Sequence, residues 1–422
     1  MRLDPFDLGY DRDPAATWRR LIADGPGVGF DPSLGLWIIA GYDNVRDVLG
    51  DVRRFSNGTT LTPITPLTGA ALAHLASANW TPGIIAADPP QHAELRSALR
   101  AVFPATADTV RDRWLPLLLL RAGQLAEDLS EHATVDLIDQ FSRRLPLMVM
   151  LDVLGLPAED ATMIGHWSAG TVELIWGRPT AAEQLAGLYR LLEFRDYCRA
   201  LIRVRLTAAR PTPGVLGDLL TYRSGDEARL PTEQAASLLL DLLIAGSTFT
   251  AAALGHALEH ALADPRRWSR VASDPHHRAT LIEESLRYSP AVDGWLRLAI
   301  TDTTIGGVTI PAGSRCLVLL GSAGHDEAVY TDPQLFDPSR ARLSRHLALG
   351  YGPHQCPGAA LARLELDTAL AVLARRLPGL RLGADFARRF RPSVAVRAHT
   401  AMPAATVGRR CPVAHSTAEA QR

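Results

Sequence analysis

The sequence predicts a mainly α-helical fold with a small β portion, and two kinds of pattern support that prediction. Apolar residues recur at helical spacing around 108–130, 182–206, 232–263 and 358–376. Two short runs bounded by glycine and proline, Leu36–Ala40 and Thr303–Pro311, are typical of strands. Length alone permits two domains, but neither a linker nor an internal repeat divides the elements.

Composition excludes several classes of function. The 422 residues carry a formal net charge of −1, so we expect no nucleic acid or other polyanion as partner. The first residues, Met1–Asp7, have neither a basic nor an apolar stretch, which predicts a cytoplasmic protein without a signal peptide or a membrane anchor. A tail from about 404, rich in alanine, arginine, serine and threonine, is expected to be flexible.

Cys356 is the most informative residue of the chain. It ends a glycine-rich loop in segment 346–358 and precedes an apolar helix. A sulfur at a helix N-terminus is stabilised as a thiolate, the form that ligates a metal ion. Gly350, Gly352 and Gly358 have no Cβ, so a flat cofactor can lie against the backbone. We interpret Cys356 as an axial thiolate ligand of haem iron.

Other roles for Cys356 fit the sequence less well. A structural cysteine buried in the core would not need three neighbouring glycines and a histidine. A zinc site would need four ligands, commonly with paired cysteines, whereas Cys198, Cys316 and Cys411 are scattered singly. Four unpatterned cysteines in a chain of this length do not suggest a disulfide framework either.

Several segments together make the chain resemble the cytochrome P-450 superfamily of haem-thiolate monooxygenases, in its soluble bacterial type. The Cys356 loop resembles the family's haem-binding signature. Glu284 and Arg287 resemble its Glu-x-x-Arg helix, and the segment 336–340, which ends at Arg340, resembles the third anchor of the same network. The resemblance implies haem b as cofactor and a single-domain prism fold, here residues 1–403, followed by the tail 404–422.

The same resemblance implies which residues hold the haem propionates. The segment 88–96 is similar to the family's propionate-binding helix, and His92 and Arg96 lie one helical turn apart, on one face. By the same alignment Arg297 and His354 complete the clamp. The predicted cofactor-binding residues are His92, Arg96, Arg297, Gly352, His354, Cys356 and Gly358.

The segment 232–263 predicts one long helix of about 48 Å. Its middle is apolar enough to raise the alternative of a membrane span. Asp241, Ser247, Thr248 and Thr250 argue against that alternative, and a buried central helix explains the same pattern. The resemblance places this helix over the open face of the haem.

This helix departs from the family pattern at the proton relay. Relatives carry an acid followed by an alcohol, but an alignment on Ala245 and Gly246 puts Thr248 and Phe249 at those positions. Thr250 cannot simply substitute, because one residue along an α-helix rotates the side chain by about 100°. Ser247, Thr248 and Thr250 remain the candidates for holding a catalytic water. A second departure, Gly324-His325-Asp326, has no functional explanation in the sequence.

The predicted substrate contacts include an acid and two aromatic side chains. Asp241, Ala245 and Phe249 are four residues apart and so share a face, which the alignment puts above the haem. Buried Asp241 needs an arginine, a water or a substrate N–H group as partner. The full set of predicted contacts is Asp241, Ile244, Ala245, Phe249, Val292, Trp295 and Met402. We therefore expect a flat, aromatic, nitrogen-containing substrate.

The resemblance implies an enzyme of secondary metabolism that uses dioxygen to hydroxylate or otherwise oxidise such a natural product. Since no flavin or iron–sulfur motif is visible, a ferredoxin and a ferredoxin reductase are the expected electron donors. The missing relay keeps open an alternative, radical C–C or C–N coupling of aromatic or cyclic-dipeptide-like substrates without oxygen insertion. A more remote alternative is a non-catalytic haem-binding sensor.

Overall fold

The computed structural model describes residues 2–77, 81–104, 106–208, 213–223 and 230–406. Helices dominate, as the sequence predicts. Their bounds are α1 (Leu8–Arg12), α2 (Pro14–Ala23), α3 (Tyr42–Gly50), α4 (Gly69–Ser77), α5 (Gln91–Val102), α6 (Ala107–Ser130), α7 (Arg144–Leu154), α8 (Ala161–Trp176), α9 (Ala181–Thr207), α10 (Gly214–Thr221), α11 (Thr232–Ile244), α12 (Thr250–Leu262), α13 (Pro265–Ser273), α14 (Pro275–Tyr288), α15 (Leu320–Gly324) and α16 (Ala359–Arg376).

The strands are short and form the small β portion. Their bounds are β1 (Val28–Asp31), β2 (Leu36–Ile39), β3 (Phe55–Ser56), β4 (Thr134–Asp136), β5 (Gly294–Ala299), β6 (Thr303–Ile305), β7 (Val308–Ile310), β8 (Arg315–Leu319), β9 (Arg381–Leu382) and β10 (Pro403–Ala405). The largest sheet has the order β1-β2-β8-β5-β3, with β2 and β8 parallel. The predicted strand run at 303–311 is a hairpin, because Gly306 and Gly307 adopt positive φ and turn the chain between β6 and β7.

The C-terminal end of the predicted domain lies slightly later than residue 403. β10 pairs with β4 and β9, so Ala404 and Ala405 belong to a three-stranded sheet, and Thr406 N–H donates to Ala133 O. The predicted flexible tail therefore begins no earlier than residue 407. Residues 407–422 lie outside the described part of the chain.

The long central helix is present but is not a continuous α-helix. α11 and α12 are joined by a π-helical turn, Ala245–Phe249, so the segment Thr232–Leu262 runs as one rod with a wider turn in its middle. The rod is long and apolar enough to cross a membrane, but 72% of its most apolar window is buried inside the protein. It contacts α9 with its first half and α13, α14 and α16 with its second, as a core helix does.

Glu284 and Arg287 form the buried ion pair that the sequence predicts. Arg287 Nε and Nη2 lie 2.7 Å from the two carboxylate oxygens of Glu284, and both side chains are fully buried. Arg287 also donates to the backbone oxygens of Gly324, Pro333 and Leu335. Arg340 completes the network at 3.6 Å from Glu284 Oε1. The pair thereby fixes the loop that leads to the Cys356 segment.

His325, for which the sequence offered no explanation, has a structural role. Its Nε2 atom lies 2.8 Å from Tyr288 O, and its ring packs between Trp18 and Tyr288. Burial lowers the pKa of His325 to about 4, so the ring is neutral at pH 7 and Nε2–H donates the hydrogen bond. His325 therefore links the N-terminal helices to the end of α14.

Candidate cofactor and active site

One cavity brings together the five side chains predicted to hold a haem. It lies between the central helix and the Cys356 loop, and we call it the cofactor cavity. His92 and Arg96 enter it from α5, Arg297 from β5, and His354 and Cys356 from the loop. Sequence positions separated by more than 250 residues thus converge on one space.

The loop gives Cys356 a half-buried, preorganised position. Cys356 N–H donates to Leu349 O over 2.9 Å, and Gly350 and Gly352 adopt positive φ. A Cβ on Gly352 would lie 2.9 Å from Gly50 Cα, so only glycine allows the loop to pack against α3. By contrast, a Cβ on Gly358 would meet Cys356 Sγ at an ordinary 3.9 Å. Gly352 therefore serves the packing of the loop on α3, and Gly358 acts through its backbone N–H. Gly350 lines the cofactor cavity, whereas Gly352 and Gly358 do not.

Electrostatics at Cys356 oppose a free thiolate. Burial raises the pKa of the thiol, while the Gly358 N–H and the guanidinium groups of Arg96 and Arg363 act in the other direction. The helix behind it, α16, begins at Ala359, two residues later than Pro357 would allow. The helix and the cations therefore offset the effect of burial only in part, and a metal ion held by Cys356 would favour the thiolate further.

The cofactor cavity also holds a guanidinium and an imidazole with buried nitrogen atoms that lack partners. Arg96 Nε and His92 Nε2 are buried without a hydrogen-bond partner among the described residues. Burial lowers the pKa of Arg297 to about 10, with Asp88 opposing the effect. Burial without a partner is costly for such groups, and an anion relieves that cost. These residues fit the two carboxylates of haem b.

The two histidines fit the role of neutral donors rather than cations. Their rings stack at a centroid distance of 3.8 Å. Burial lowers the pKa of both, that of His354 to about 2, with the neighbouring arginines adding to the effect. Asn57 Nδ2 lies 2.9 Å from His354 Nε2, and an amide nitrogen can only donate, so the His354 proton sits on Nδ1. Asn57 is thus a contributor that the sequence did not reveal.

The central helix presents to the cavity the face spaced by four residues that the sequence predicts around Ala245 and Phe249, with Thr250 in addition. Ala245, Phe249, Thr250 and Ala253 all line it. Thr250, the first residue of α12 after the π-turn, lines the cavity beside Phe249. The sequence did not place Thr250 there, because adjacent residues of an α-helix diverge by about 100°.

Ser247 and Thr248 lie on the other side of the central helix. They line a separate cavity of about 730 Å³, together with Ser142, Arg143 and His399. Ser247 Oγ donates to Leu243 O within its own helix. Of the three candidate catalytic residues, only Thr250 lines the cofactor cavity.

The predicted substrate contacts divide in the same way. Ala245, Phe249, Val292 and Trp295 line the cofactor cavity. Ile244, Asp241 and Met402 do not, so the structure does not support these three as substrate contacts. Asp241 Oδ2 instead accepts the backbone N–H of Ile85 at 2.9 Å. Met402 is fully buried beside β4, where its N–H donates to Asp136.

Trp176 packs against Phe249 and Trp295, which with Tyr351 are the Phe, Trp and Tyr side chains that line the cofactor cavity. The rings of Trp176, Phe249 and Trp295 form a triangle with centroid distances of 6.0, 5.6 and 6.1 Å. Trp176 is almost fully buried, and its Nε1–H donates to Thr60 O. Nothing in the sequence near Trp176 places it opposite β5, because α8 reaches the wall only through tertiary packing.

A further ion pair supports the loop from behind. Glu283, next to the predicted Glu284, accepts hydrogen bonds from Arg363 Nε at 2.6 Å and Nη2 at 3.0 Å, and His346 Nε2 lies 3.2 Å away. These contacts join α14 to both ends of the Cys356 loop. Spacing alone did not reveal that the adjacent acids Glu283 and Glu284 pair with different arginines.

A buried group of His256, Glu259 and His399 has the composition of a metal site. Its carboxylate is already engaged, because Arg388 Nε donates to Glu259 Oε1 at 2.6 Å and His399 Nε2 lies 2.8 Å from Oε2. We assign this group as an ion-pair network between α12 and the C-terminal segment. The cysteines among the described residues, Cys198, Cys316 and Cys356, are all free.

Comparison with known proteins agrees with this geometry. The family model described as Cytochrome P450 matches residues 279–377. The 20-oxo-5-O-mycaminosyltylactone 23-monooxygenase of Streptomyces fradiae is 33% identical over 353 residues, which cover 83% of this chain and 79% of that protein.

Two solved structures are similar over nearly the whole chain. Cytochrome P450 CREJ in complex with (4-ethylphenyl) dihydrogen phosphate has a TM-score of 0.89 and 27% identity, covering 96% of this chain and 98% of its own. An intact type IV self-sufficient cytochrome P450 monooxygenase has a TM-score of 0.89 and 29% identity, covering 97% of this chain and 53% of its own.

Proposed function

This chain belongs to the cytochrome P450 family, and from that premise we propose that it oxidises a small, flat aromatic natural product of bacterial secondary metabolism. As a member of the family it is an oxidoreductase, a monooxygenase that uses haem b. Haem ligated by a thiolate activates dioxygen for attack on unactivated bonds. The aromatic side chains that line the cofactor cavity are the basis for the proposed substrate class.

We infer distinct roles for the residues of the cofactor cavity. Cys356 would provide the sulfur ligand of the haem iron, while Arg96, Arg297, His92 and His354 would bind the propionates. Phe249 and Trp295 supply flat apolar surface above the cofactor and exclude water from it. These roles follow from the lining of one cavity and from the unpartnered cationic groups in it.

The aromatic triangle is the observation that carries the substrate class. Phe249 and Trp295 line the cavity, and Trp176 fixes both rings from behind. Aromatic partners prefer offset or edge-to-face contact, which a planar substrate can make with both rings. The expectation of a nitrogen atom in the substrate rested on Asp241 and loses that support, because Asp241 binds backbone N–H groups instead.

A binding screen of the ferric protein tests this substrate class. Indoles, quinolines and phenols are expected to displace the water ligand and shift the Soret band, whereas macrolactones are not. Phe249→Leu should weaken aromatic binding by about two- to tenfold, since an aromatic pair contributes about 0.5–1.5 kcal/mol. Phe103→Leu is the matched control, because Phe103 packs on Trp114 outside the cavity. Equal binding of both compound classes would contradict the proposal.

Thr250 is the residue that we propose to order water beside the reacting centre. It is the hydroxyl that the central helix presents to the cavity alongside Phe249. A hydroxyl can hold a water and pass on its proton but supplies no acid of useful pKa. Oxidative C–C or C–N coupling without oxygen insertion is therefore our second candidate, favoured by Phe249 and Thr248 at the relay positions.

Replacing Thr250 with alanine separates these possibilities. Thr250→Ala should raise hydrogen peroxide release and lower product per reductant severalfold, because proton delivery in the cavity is lost. Ser247→Ala should leave the product formed per reductant unchanged, since Ser247 lines the other cavity. An unchanged ratio of product to reductant in Thr250→Ala would show that protons arrive by another route.

Isotopically labelled dioxygen distinguishes oxygen insertion, which labels the product, from C–C or C–N bond formation, which does not.

We propose that a ferredoxin and a ferredoxin reductase supply the electrons. We also propose that the protein is located in the cytoplasm. One similar structure is described as self-sufficient, and this chain covers 53% of it. Reconstitution with a separate ferredoxin and reductase tests the proposal by the rate of substrate-dependent reductant oxidation. A haem-binding sensor would bind the substrate without that acceleration.

A further inference from the structure

A short segment before α5 is held against the central helix by two side chains. Ser237 Oγ donates to Thr81 O over 2.7 Å. One turn later, Asp241 Oδ2 accepts Ile85 N–H at 2.9 Å, and Ile84 N–H also hydrogen-bonds to this carboxylate. The segment Thr81–Ile85 therefore has backbone contacts with α11 at both of its ends.

The segment lies so close to the helix that its middle residue must be glycine. A Cβ on Gly83 would lie 2.2 Å from Asp241 Oδ2 and 2.8 Å from Ser237 O. Gln91 Nε2 adds a contact from the other side by donating to Pro82 O at 3.1 Å. At this place on the helix there is thus room for backbone alone, and we call the segment Thr81–Ile85 the strip.

The strip matters because it forms part of the wall of the cofactor cavity. Ile84 and Ile85 both line that cavity, opposite the Cys356 loop. We propose that Ser237 and Asp241 form a latch that positions Ile84 and Ile85 and controls the entry of bulky ligands to the cofactor. The inference rests on the cofactor of the proposed function but is independent of the substrate class.

The latch has a direction of pH dependence. Asp241 is buried, and burial raises the pKa of its carboxyl to about 7, although the N–H groups of Ile85 and Ile84 lower it in part. When the strip moves away, water reaches the carboxyl and its pKa returns toward the ordinary value near 4. The docked state therefore binds the proton more tightly than the open state does.

Thermodynamic linkage then gives the direction in which docking of the strip depends on pH. Protonation favours the docked strip, so the latch holds below pH 7 and weakens as the pH rises through 7, by up to about tenfold for each pH unit. Cys198 of α9 is the titratable group that the described residues bring against Asp241, and burial together with Asp241 raises the pKa of its thiol, so it stays protonated in this range. Thr81–Ile85 itself contributes no titratable side chain.

Ligand entry in the holoprotein tests the latch. Stopped-flow measurement of the Soret shift gives the association rate of 4-phenylpyridine, corrected for its own protonation, between pH 6 and 8.5. Cyanide, which is small, serves as the reference ligand. Amide hydrogen exchange of the peptide that contains residues 81–85 reports the docking of the strip directly.

Three variants and one control separate charge from contact. Asp241→Asn keeps an uncharged acceptor for the N–H groups, whereas Asp241→Ala and Ser237→Ala each remove a contact. Glu233→Gln removes a carboxylate from the first turn of the same helix, where it pairs with Arg199 rather than with the strip.

The wild type and Glu233→Gln are expected to admit 4-phenylpyridine severalfold faster at pH 8.5 than at pH 6, with little change for cyanide. Asp241→Asn should be slow at every pH and Asp241→Ala fast at every pH. Ser237→Ala should be faster than the wild type at each pH but keep the pH dependence, because it retains the Asp241 carboxyl. Both alanine variants should show faster amide exchange of residues 81–85. A pH dependence that survives in Asp241→Asn, or unchanged exchange in Asp241→Ala, would overturn the latch. Neither readout requires turnover, so failure of the proposed function would not be mistaken for failure of the latch.

Discussion

Substitution of Cys356 by alanine is expected to abolish the thiolate-ligated haem spectrum completely. In the wild type, carbon monoxide added to the reduced protein should give the red-shifted Soret band of thiolate ligation. Cys356 supplies the sulfur that lines the cofactor cavity among the described residues, and burial keeps its thiol protonated until a metal ion binds. Activity should fall to the level without enzyme, because the sulfur donates the electron density that dioxygen activation requires.

The matched control for this substitution is Cys316→Ala. Cys316 is a free cysteine, fully buried in β8, where it pairs with Trp37 of the neighbouring strand. Cys316 is also the strand partner of Arg297, but it does not itself line the cofactor cavity. Its replacement removes a thiol outside the cavity, so the red-shifted band should persist. A histidine-type spectrum in the wild type would contradict the assignment of Cys356, as would a red-shifted band retained in Cys356→Ala.

Residues carried by contiguous motifs were predictable from the sequence. Glu284 and Arg287 share a helix face by their spacing, and His92 and Arg96 do so on α5. Cys356 is positioned by glycines within its own loop. In each case the relevant geometry is local, so a few neighbouring residues determine it. The same holds for the helices, whose predicted bounds agree with α6, α9 and α16 to within one residue.

The central helix shows where such reasoning stops. The helix contains a π-turn at Ala245–Phe249, and no residue type in that segment predicts such a turn. Thr250 lines the cofactor cavity, whereas Thr248 lines the cavity on the other side of the helix. Likewise, Asp241 shares an α-helical face with Ala245, but the strip Thr81–Ile85 covers it. That contact joins residues 156 positions apart, which helical periodicity cannot indicate.

The second large effect concerns the buried pair, because Glu284→Ala should destabilise the protein by about 3–5 kcal/mol. The substitution leaves the Arg287 guanidinium fully buried and removes the carboxylate that forms two hydrogen bonds with it. The oxygens of Gly324, Pro333 and Leu335 still accept from it but do not neutralise its charge. Denaturant unfolding of the holoprotein, followed by circular dichroism and by the Soret band, measures the loss.

An exposed ion pair provides the comparison. Asp218 pairs with Arg113 at 2.9 Å, with 40% of the arginine and 52% of the aspartate side chain exposed. Asp218→Asn should therefore cost less than about 1 kcal/mol. If Glu284→Ala lowered the free energy of unfolding by as little as Asp218→Asn does, Arg287 would have found water or another anion after the substitution. The pair would then not hold the structure behind the haem loop.

The double variant Glu284→Leu with Arg287→Met decides which part of the pair matters. Removing both charges together avoids an unpaired buried cation and should restore part of the stability. Recovery should nevertheless be incomplete, because the three backbone oxygens lose the donors that tie the loop before Cys356 to α14. Full recovery would show that the cost lies in the isolated charge alone. Partial recovery accompanied by faster haem loss would show that Arg287 also anchors the loop that carries the axial sulfur.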